Sequence, residues 1–330
     1  MSVNIVTTHK IFPQTEAILR AAGTVHVPHG ESFADAELAT ALANAVAVMA
    51  FMPDRVDTSF LRAAPRLSIV AGALKGYDNI DVEACSTRGV WVSIVPDLLT
   101  VPTAELAIGL LIGLARHLRE ADRYVRSGDF RSWTPRFYGV SVENSTVGII
   151  GMGAVGCAVA KRLAAFDCRV VYFDKRPECA KITPSGEYRP LNALLAESDI
   201  VVLCIPLSAG MVHFINADRL ALMKRGALLV NPARGSLIDE KAVATALAEG
   251  YLGGYAADAF ELEDLSRADR SREIPPALLA HPHTLFSAHV GSATIAARQA
   301  IEARAAENIL DALAGHAPRD VINTIARQTP

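Results

Sequence analysis

The chain has 330 residues, 51% of them hydrophobic and 20% charged, which is too long for one ordinary core and too apolar for a disordered chain. A net charge of −3 gives no support to nucleic-acid or anionic-membrane binding. Five scattered cysteines (Cys85, Cys157, Cys168, Cys179, Cys204) lack CxxC spacing, which argues against a disulfide frame or a structural metal and fits a reducing, cytoplasmic setting.

The first hundred residues alternate strand-like and helix-like runs. Strands are expected at Val3–Val6, Val46–Phe51, Leu67–Ala71 and Val90–Ser93, and helices at Gln14–Ala22, Asp35–Ala45, Asp57–Ala64 and Asp81–Arg88. Apolar strands interleaved with helices predict a parallel sheet covered on both faces. A long apolar helix follows, expected over residues 101–127, with Pro102 in its first turn. Being apolar nearly all round, it must be buried, in the core or against a second copy of the chain, and the expectation leans to the second copy. The longest apolar run, Leu106 to Ala115, is too short to span a bilayer, and MSVNIVTTHK does not read as a signal peptide.

From Thr146 the alternation resumes in six strand-like segments: TVGII, RVVYF, DIVVL, ALLVN, GGYAA and TLF. These predict a doubly wound dinucleotide-binding domain. The last helical run, Thr294 to Ala314, is long enough to return to the first domain. The fold class is therefore α/β with two Rossmann-like domains: a dinucleotide-binding domain (100–293) inserted into a smaller flavodoxin-like substrate domain (1–99 and 294–330).

Between the first two segments of that domain, Gly151-Met152-Gly153-Ala154-Val155-Gly156 is a GxGxxG in its proper context, after a strand and opening a helix. Its glycines permit a tight turn, approach of backbone N–H groups to a pyrophosphate, and close meeting of helix and strand. Asp174 ends the next strand, 23 positions after Gly151, where a carboxylate accepts from ribose hydroxyls and favours NAD over NADP. Lys175 and Arg176 follow, able to offset Asp174 toward a 2′-phosphate or to be solvated surface charges. NAD is expected as cofactor, with NADP as a poorer alternative.

Three more strand ends carry polar residues: Arg234 in NPARGS, Asp258 and Glu263 in DAFELE, and His289 in SAHVGS. An arginine, a carboxylate and a histidine from separate strand ends make an anion clamp with an oriented acid/base. A histidine is suited to proton transfer near neutrality, and a neighbouring carboxylate favours its protonated form. His213, His281 and His283 are read as structural, and no metal site is expected.

In this order, GMGAVG, NPARG, DAFELE and SAHVGS resemble the D-2-hydroxyacid dehydrogenase superfamily over essentially the whole chain. The resemblance implies Arg234 as substrate-anion binder, His289 as acid/base and Glu263 as the carboxylate that holds it. It further implies Asp258 near the nicotinamide, Thr103, Ala233, Cys204 and Pro206 along the cofactor, Ser292 beside the substrate, and a homodimer. One residue departs from the general pattern: in AGALKGYDNID, Lys75 precedes Gly76 where a small or apolar residue is usual. Two cations around a small pocket suit a doubly charged oxyanion. Segments MAFMPDRVD, GALKGYDNID, VPDLLTVPTAELAIGL, SWTPRFYG and DAFELED resemble the phosphite-oxidising members of the superfamily. That implies oxidation of phosphite to phosphate, with hydride leaving phosphorus and water as nucleophile. Lys75 and Arg234 would hold the oxyanion, Met52, Leu99, Trp133 and Tyr138 would wall the pocket, the last two from the partner subunit, and Arg298 would tune it. The alternatives are a dehydrogenase of a small or dicarboxylic 2-hydroxy acid, or a non-catalytic NAD(H)-sensing partner protein.

Overall fold

Short β-branched runs separated by amphipathic or apolar helices fold into two parallel sheets. The computed structural model describes residues 3–176, 186–208 and 210–325. Cys179 lies outside the described residues; Cys85, Cys157, Cys168 and Cys204 are not joined in disulfides. The chain divides into two units, Met1–Leu99 with Ala293–Pro330, and Thr100–Ser292.

The first unit holds strands β1 (Asn4–Thr7), β2 (Thr24–His26), β3 (Ala47–Ala50), β4 (Ile69–Gly72) and β5 (Trp91–Ser93). Their order is β2-β1-β3-β4-β5, all parallel, which is the flavodoxin-like winding. Helices α1 (Pro13–Arg20), α2 (Asp35–Leu42), α3 (Thr58–Ala63) and α4 (Val82–Thr87) connect them. Asp57 and Asp81 cap the last two by accepting from backbone N–H groups of the first turn. The final helix of the chain, α12 (Ile295–Leu313), lays Ile301, Ala305, Ala306 and Ile309 against Ile5, Met49, Ile69 and Ala71. Strand β2 escaped the sequence reading. It is a three-residue edge strand with only Val25 buried, so it carries no alternation to detect.

The second unit winds seven strands in the order β12-β11-β10-β9-β6-β7-β8. They are β6 (Thr146–Ile150), β7 (Arg169–Phe173), β8 (Glu187–Tyr188), β9 (Ile200–Leu203), β10 (Leu228–Asn231), β11 (Gly254–Ala257) and β12 (Thr284–Phe286). The strand not anticipated is β8, a two-residue exposed edge. Helices α7 (Ala154–Leu163), α8 (Leu191–Glu197), α9 (Ala217–Leu220), α10 (Glu240–Ala248) and α11 (Pro276–Ala280) complete the winding. The order places the reversal between β6 and β9, where open α/β sheets bind ligands.

The expected single helix over 101–127 is two helices, α5 (Thr100–Ala115) and α6 (Leu118–Arg126), bent by 67°. His117 between them has φ 50°, a left-handed conformation that an α-helix of L-residues cannot continue through. Helix α5 buries one face within its own unit. Ala104, Ala107, Leu110, Leu111 and Leu114 are buried in their own unit with Val159, Ala160 and Leu163 of α7 and strands β6, β10 and β11. Helix α6 buries no residue and continues into an exposed arm bearing Phe130, Trp133, Phe137, Tyr138 and Val140. Among the described residues no single helix is long and apolar enough to cross a membrane, although the bent pair α5 and α6 together meets that test of length and composition.

Candidate active site

The residues singled out from the sequence divide between the two units. In the second unit, the loop from β6 to α7 is built around Gly151, whose φ of 98° favours glycine. A Cβ on Gly156 would lie 2.0 Å from the Gly151 carbonyl oxygen, so helix and turn meet only because it is absent. A Cβ on Gly153 would meet no protein atom within 4 Å. That glycine therefore faces open space at the start of α7, where backbone N–H groups can meet a ligand's pyrophosphate. Ala154 and Val155 open the helix, whereas the Met152 side chain is buried in the core and offers the ligand only backbone.

Asp174 closes the cradle. Its Oδ2 accepts from Met152 N at 2.8 Å and its Oδ1 from Arg176 N at 2.9 Å. The Arg176 guanidinium leans back on the same carboxylate at 3.7 Å, while Lys175 extends toward the Met211 sulfur at 3.8 Å. Cys204 follows β9, its N–H donating to Ile150 O, and Pro206 is exposed beyond it. Burial pushes the Cys204 thiol up to about 12, which makes it a packing residue, not a nucleophile. These residues fit an adenine dinucleotide by backbone donors, an open glycine and an acceptor carboxylate.

Three strand ends supply the reactive groups. Arg234 follows β10; its carbonyl accepts from Asn231 Nδ2 at 2.9 Å, and Ala233 N donates to Asn231 Oδ1 at 3.1 Å, which fixes the turn. Gly235 then meets the turn after β11 so closely that a Cβ would lie 1.8 Å from the Phe260 carbonyl carbon. In that second turn, the 3-10 segment Glu261–Glu263 aims Glu263: its Oε1 accepts from Phe260 N at 2.7 Å and its Oε2 lies 2.5 Å from His289 Nδ1. The carboxylate is acceptor-only, so the ring's Nδ1 carries the proton of that bond and Nε2 is the nitrogen left for a substrate. Both side chains keep about a third of their surface exposed.

Asp258 organises the loop that carries His289. It is buried, with Oδ1 accepting from Ser287 Oγ at 2.5 Å and Val290 N at 2.8 Å, and Oδ2 accepting from Gly291 N at 2.8 Å. His289 N donates to the Asp258 carbonyl at 2.7 Å, holding the histidine at φ 53°. The Asp258 carboxylate thereby braces the loop that carries His289. Thr103 of α5 lies beside Gly291, and Ser292 follows half-buried.

A shell of buried charge behind Glu263 was not legible in the sequence. Glu261 takes His213 Nε2 at 3.1 Å and Arg267 Nη1 at 2.9 Å, so His213, read as structural, belongs to a second histidine–carboxylate pair. Ser236 donates to Asp264 at 2.7 Å and receives Arg267 Nη1 at 3.3 Å. Glu240, 2% exposed, accepts from Glu261 N at 2.9 Å. Burial first, then repulsion by Glu261 and Glu263, pushes Glu240 up to about 7.

In the first unit, Lys75 follows β4 and is half-buried beside Gly76. Burial lowers its ammonium below the usual lysine range, opposed by Asp97. Asn79 ties the turn after Lys75 to the loop bearing Met52, donating to the carbonyls of Phe51, Met52 and Asp54 at 3.1, 3.3 and 2.7 Å. Arg298 of α12 donates to Ala73 O at 3.1 Å, two residues before Lys75, and stacks over Phe51. Leu99 lies half-buried against the core of that unit. Trp133 and Tyr138 lie on the exposed arm of the second unit, 77% and 74% exposed. Together with Arg116 and Arg136 they line a cavity of about 430 Å³. Among the described residues no cluster of His, Cys, Asp and Glu could hold a metal ion.

Comparison with known proteins bears on this constellation. Residues 108–291 match the family model of the D-isomer specific 2-hydroxyacid dehydrogenase NAD-binding domain. A glyoxylate reductase of Pyrococcus horikoshii is 38% identical over 283 residues, covering 84% of this chain and 82% of the relative. The crystal structure of the TT0316 protein of Thermus thermophilus superposes with a TM-score of 0.89 at 34% identity, covering 97% of this chain and all of the other. An NADPH-dependent glyoxylate/hydroxypyruvate reductase of Sinorhizobium meliloti gives a TM-score of 0.86 at 28% identity over the full length of both chains. The named relatives are thus glyoxylate reductases and not phosphite dehydrogenases.

Proposed function

The chain belongs to the D-isomer specific 2-hydroxyacid dehydrogenase family, and from that premise we propose that it is an NAD-dependent dehydrogenase of a small 2-keto/2-hydroxy acid of the glyoxylate class, with NADP as a poorer cofactor. The observation that carries this reading is the His289–Glu263 pair, 2.5 Å apart, with the second carboxylate oxygen pinned by Phe260 N. In reduction, His289 Nε2 gives its proton to the carbonyl oxygen that becomes the hydroxyl, and Glu263 stabilises the imidazolium beforehand. Arg234 pairs with the substrate carboxylate and orients it. The dinucleotide, when bound on Gly151–Gly156 and Asp174, supplies the hydride. His289→Gln should lower kcat by about 10²–10⁴ with little change in NADH affinity.

A second reading, phosphite oxidation, is favoured by one specific feature: the half-buried Lys75, whose ammonium is out of place for a monocarboxylate with an apolar tail. Here water adds to phosphorus as hydride leaves it, His289 takes the water's proton, and Lys75 with Arg234 offsets the charge of the oxyanion. The names of the relatives support the first reading better. A substrate panel decides between them. Turnover of glyoxylate or hydroxypyruvate with NADH, and no NADH from phosphite with NAD, supports the first; NADH formation from phosphite without keto-acid turnover overturns it in favour of the second. NADH tightly bound with no substrate turned over defeats both and leaves an NAD(H)-sensing protein. The active form we propose is a homodimer in which the exposed arm with Trp133 and Tyr138 is covered by the second copy.

A further inference from the structure

Glu240 is a buried carboxylate near the reactive pair, and neither reading above uses it. It is the first residue of α10, after Asp239, which caps that helix by accepting from Lys241 N and Ala242 N. Its Oε1 accepts from Glu261 N at 2.9 Å, and its Oε2 is buried without a hydrogen-bond partner among the described residues. Glu261 begins the 3-10 segment whose last residue is Glu263, so one hydrogen bond links Glu240 to the backbone that aims the catalytic carboxylate. A buried carboxylate with one oxygen unpaired is costly when ionised and cheap when protonated.

The charged and titratable groups around it come from several elements. Glu261 and Glu263 face it from the turn after β11 and repel its charge, and His213, ahead of α9, opposes them. The phenol of Tyr255 on β11 is pushed up by burial first and by Glu240 next. Arg267 neutralises Glu261, at 2.9 Å, and not Glu240. Three carboxylates therefore lie close together, Glu240 and Glu261 buried and Glu263 part-exposed, with Glu263 committed to His289 and Glu261 to Arg267 and His213. Glu240 alone has no cationic partner at hydrogen-bond distance among the described residues.

We propose that Glu240 is a positioning residue for the Glu263–His289 pair: it anchors the 260–263 turn through Glu261 N–H, and by gaining or losing a proton it sets the pH range in which His289 stays protonated. Glu240 carries its proton at low pH. When it ionises, the added negative charge behind Glu263 favours the imidazolium, so His289 keeps its proton to higher pH than Glu263 alone would allow. The inference rests on His289 as the proton carrier of the proposed function.

The test keeps the two separate by reading His289 without any substrate. Carbethoxylation of His289 by diethyl pyrocarbonate follows its neutral fraction and is measured by peptide mass spectrometry in the full chain, from about pH 5 to about pH 9. In Glu240→Gln, which keeps an acceptor for Glu261 N–H, the midpoint should fall by about half a pH unit or more relative to wild type. The wild-type curve itself should be broader than a single ionisation, a readout that needs no variant. An unmoved midpoint, or a wild-type curve fitted by one ionisation, overturns the inference whatever the substrate proves to be. With a turned-over substrate, the alkaline limb of the reductive kcat/KM profile should move the same way. Glu240→Ala should lose at least about tenfold in kcat, which Gln restores to within about threefold. Equal losses in both variants with an unchanged profile would mean a merely structural role. Retained activity in His289→Gln would sink the functional reading and leave the carbethoxylation result standing.

Discussion

Replacing Glu240 by glutamine should change the pH dependence of stability in a direction opposite to that of most acidic residues. In the unfolded chain a glutamate titrates near 4.5, and in the native chain burial holds Glu240 up to about 7. Below 4.5 both states keep the proton and the residue costs nothing. As pH rises from 4.5 toward 7 the unfolded chain releases the proton while the native chain retains it, and native stability falls. Above 7 the penalty is complete. At about 1.4 kcal/mol per pH unit, the span from 4.5 to about 7 is worth on the order of 3 kcal/mol. The side chain is 2% exposed, so solvent screening reduces this little. Glu240→Gln keeps the acceptor for Glu261 N–H and removes the titration. Urea melts of both proteins at pH 4.5, 6 and 8 should give a stability difference that grows in favour of the variant by about 2–3 kcal/mol from the lowest to the highest pH. A difference that stays flat with pH would show that Glu240 titrates normally, and the argument from its burial would fail.

Gly235→Ala would place a Cβ 1.8 Å from the Phe260 carbonyl carbon, so it should cost on the order of 3 kcal/mol and, by displacing the Glu261–Glu263 turn, depress kcat more than NADH binding, as read by melts and fluorescence titration. Asp174→Ala removes the acceptor of Met152 N, and it should weaken NADH about tenfold while narrowing the preference for NADH over NADPH; an unchanged ratio of the two dissociation constants would exclude a role in cofactor choice. Lys75→Met should raise KM and lower kcat/KM by about 10²–10³ for the true oxyanion substrate, and near-normal kinetics would dismiss the lysine from substrate binding.

What could be read in the chain was written locally. Gly151, Gly153 and Gly156 sit between a strand and a helix because turn geometry demands it, and Asp174 ends the strand after them. The alternation of apolar strands with helices gave both parallel sheets, missing only β2 and β8, edge strands too short and too exposed to leave a pattern. The order of Arg234, Glu263 and His289 at successive strand ends pointed to one family, and the match over residues 108–291 agrees with it.

The tertiary structure decided what local pattern leaves ambiguous. Seen in sequence, Glu240 is an acid in the first turn of a helix, the ordinary way to satisfy a helix dipole. Only the meeting of α10 with the turn after β11 buries it against Glu261 and Glu263 and raises its pKa. Asp258 reads only as an acid at a strand end, and it takes the loop returning through Ser287, Val290 and Gly291 to show that its oxygens brace the segment bearing His289. The break at His117 rests on one left-handed residue that is not glycine, which composition does not announce. For both carboxylates the deciding contacts come from distant parts of the chain. A carboxylate's charge and hydrogen bonds depend on which of those parts surround it, and only the folded chain brings them together.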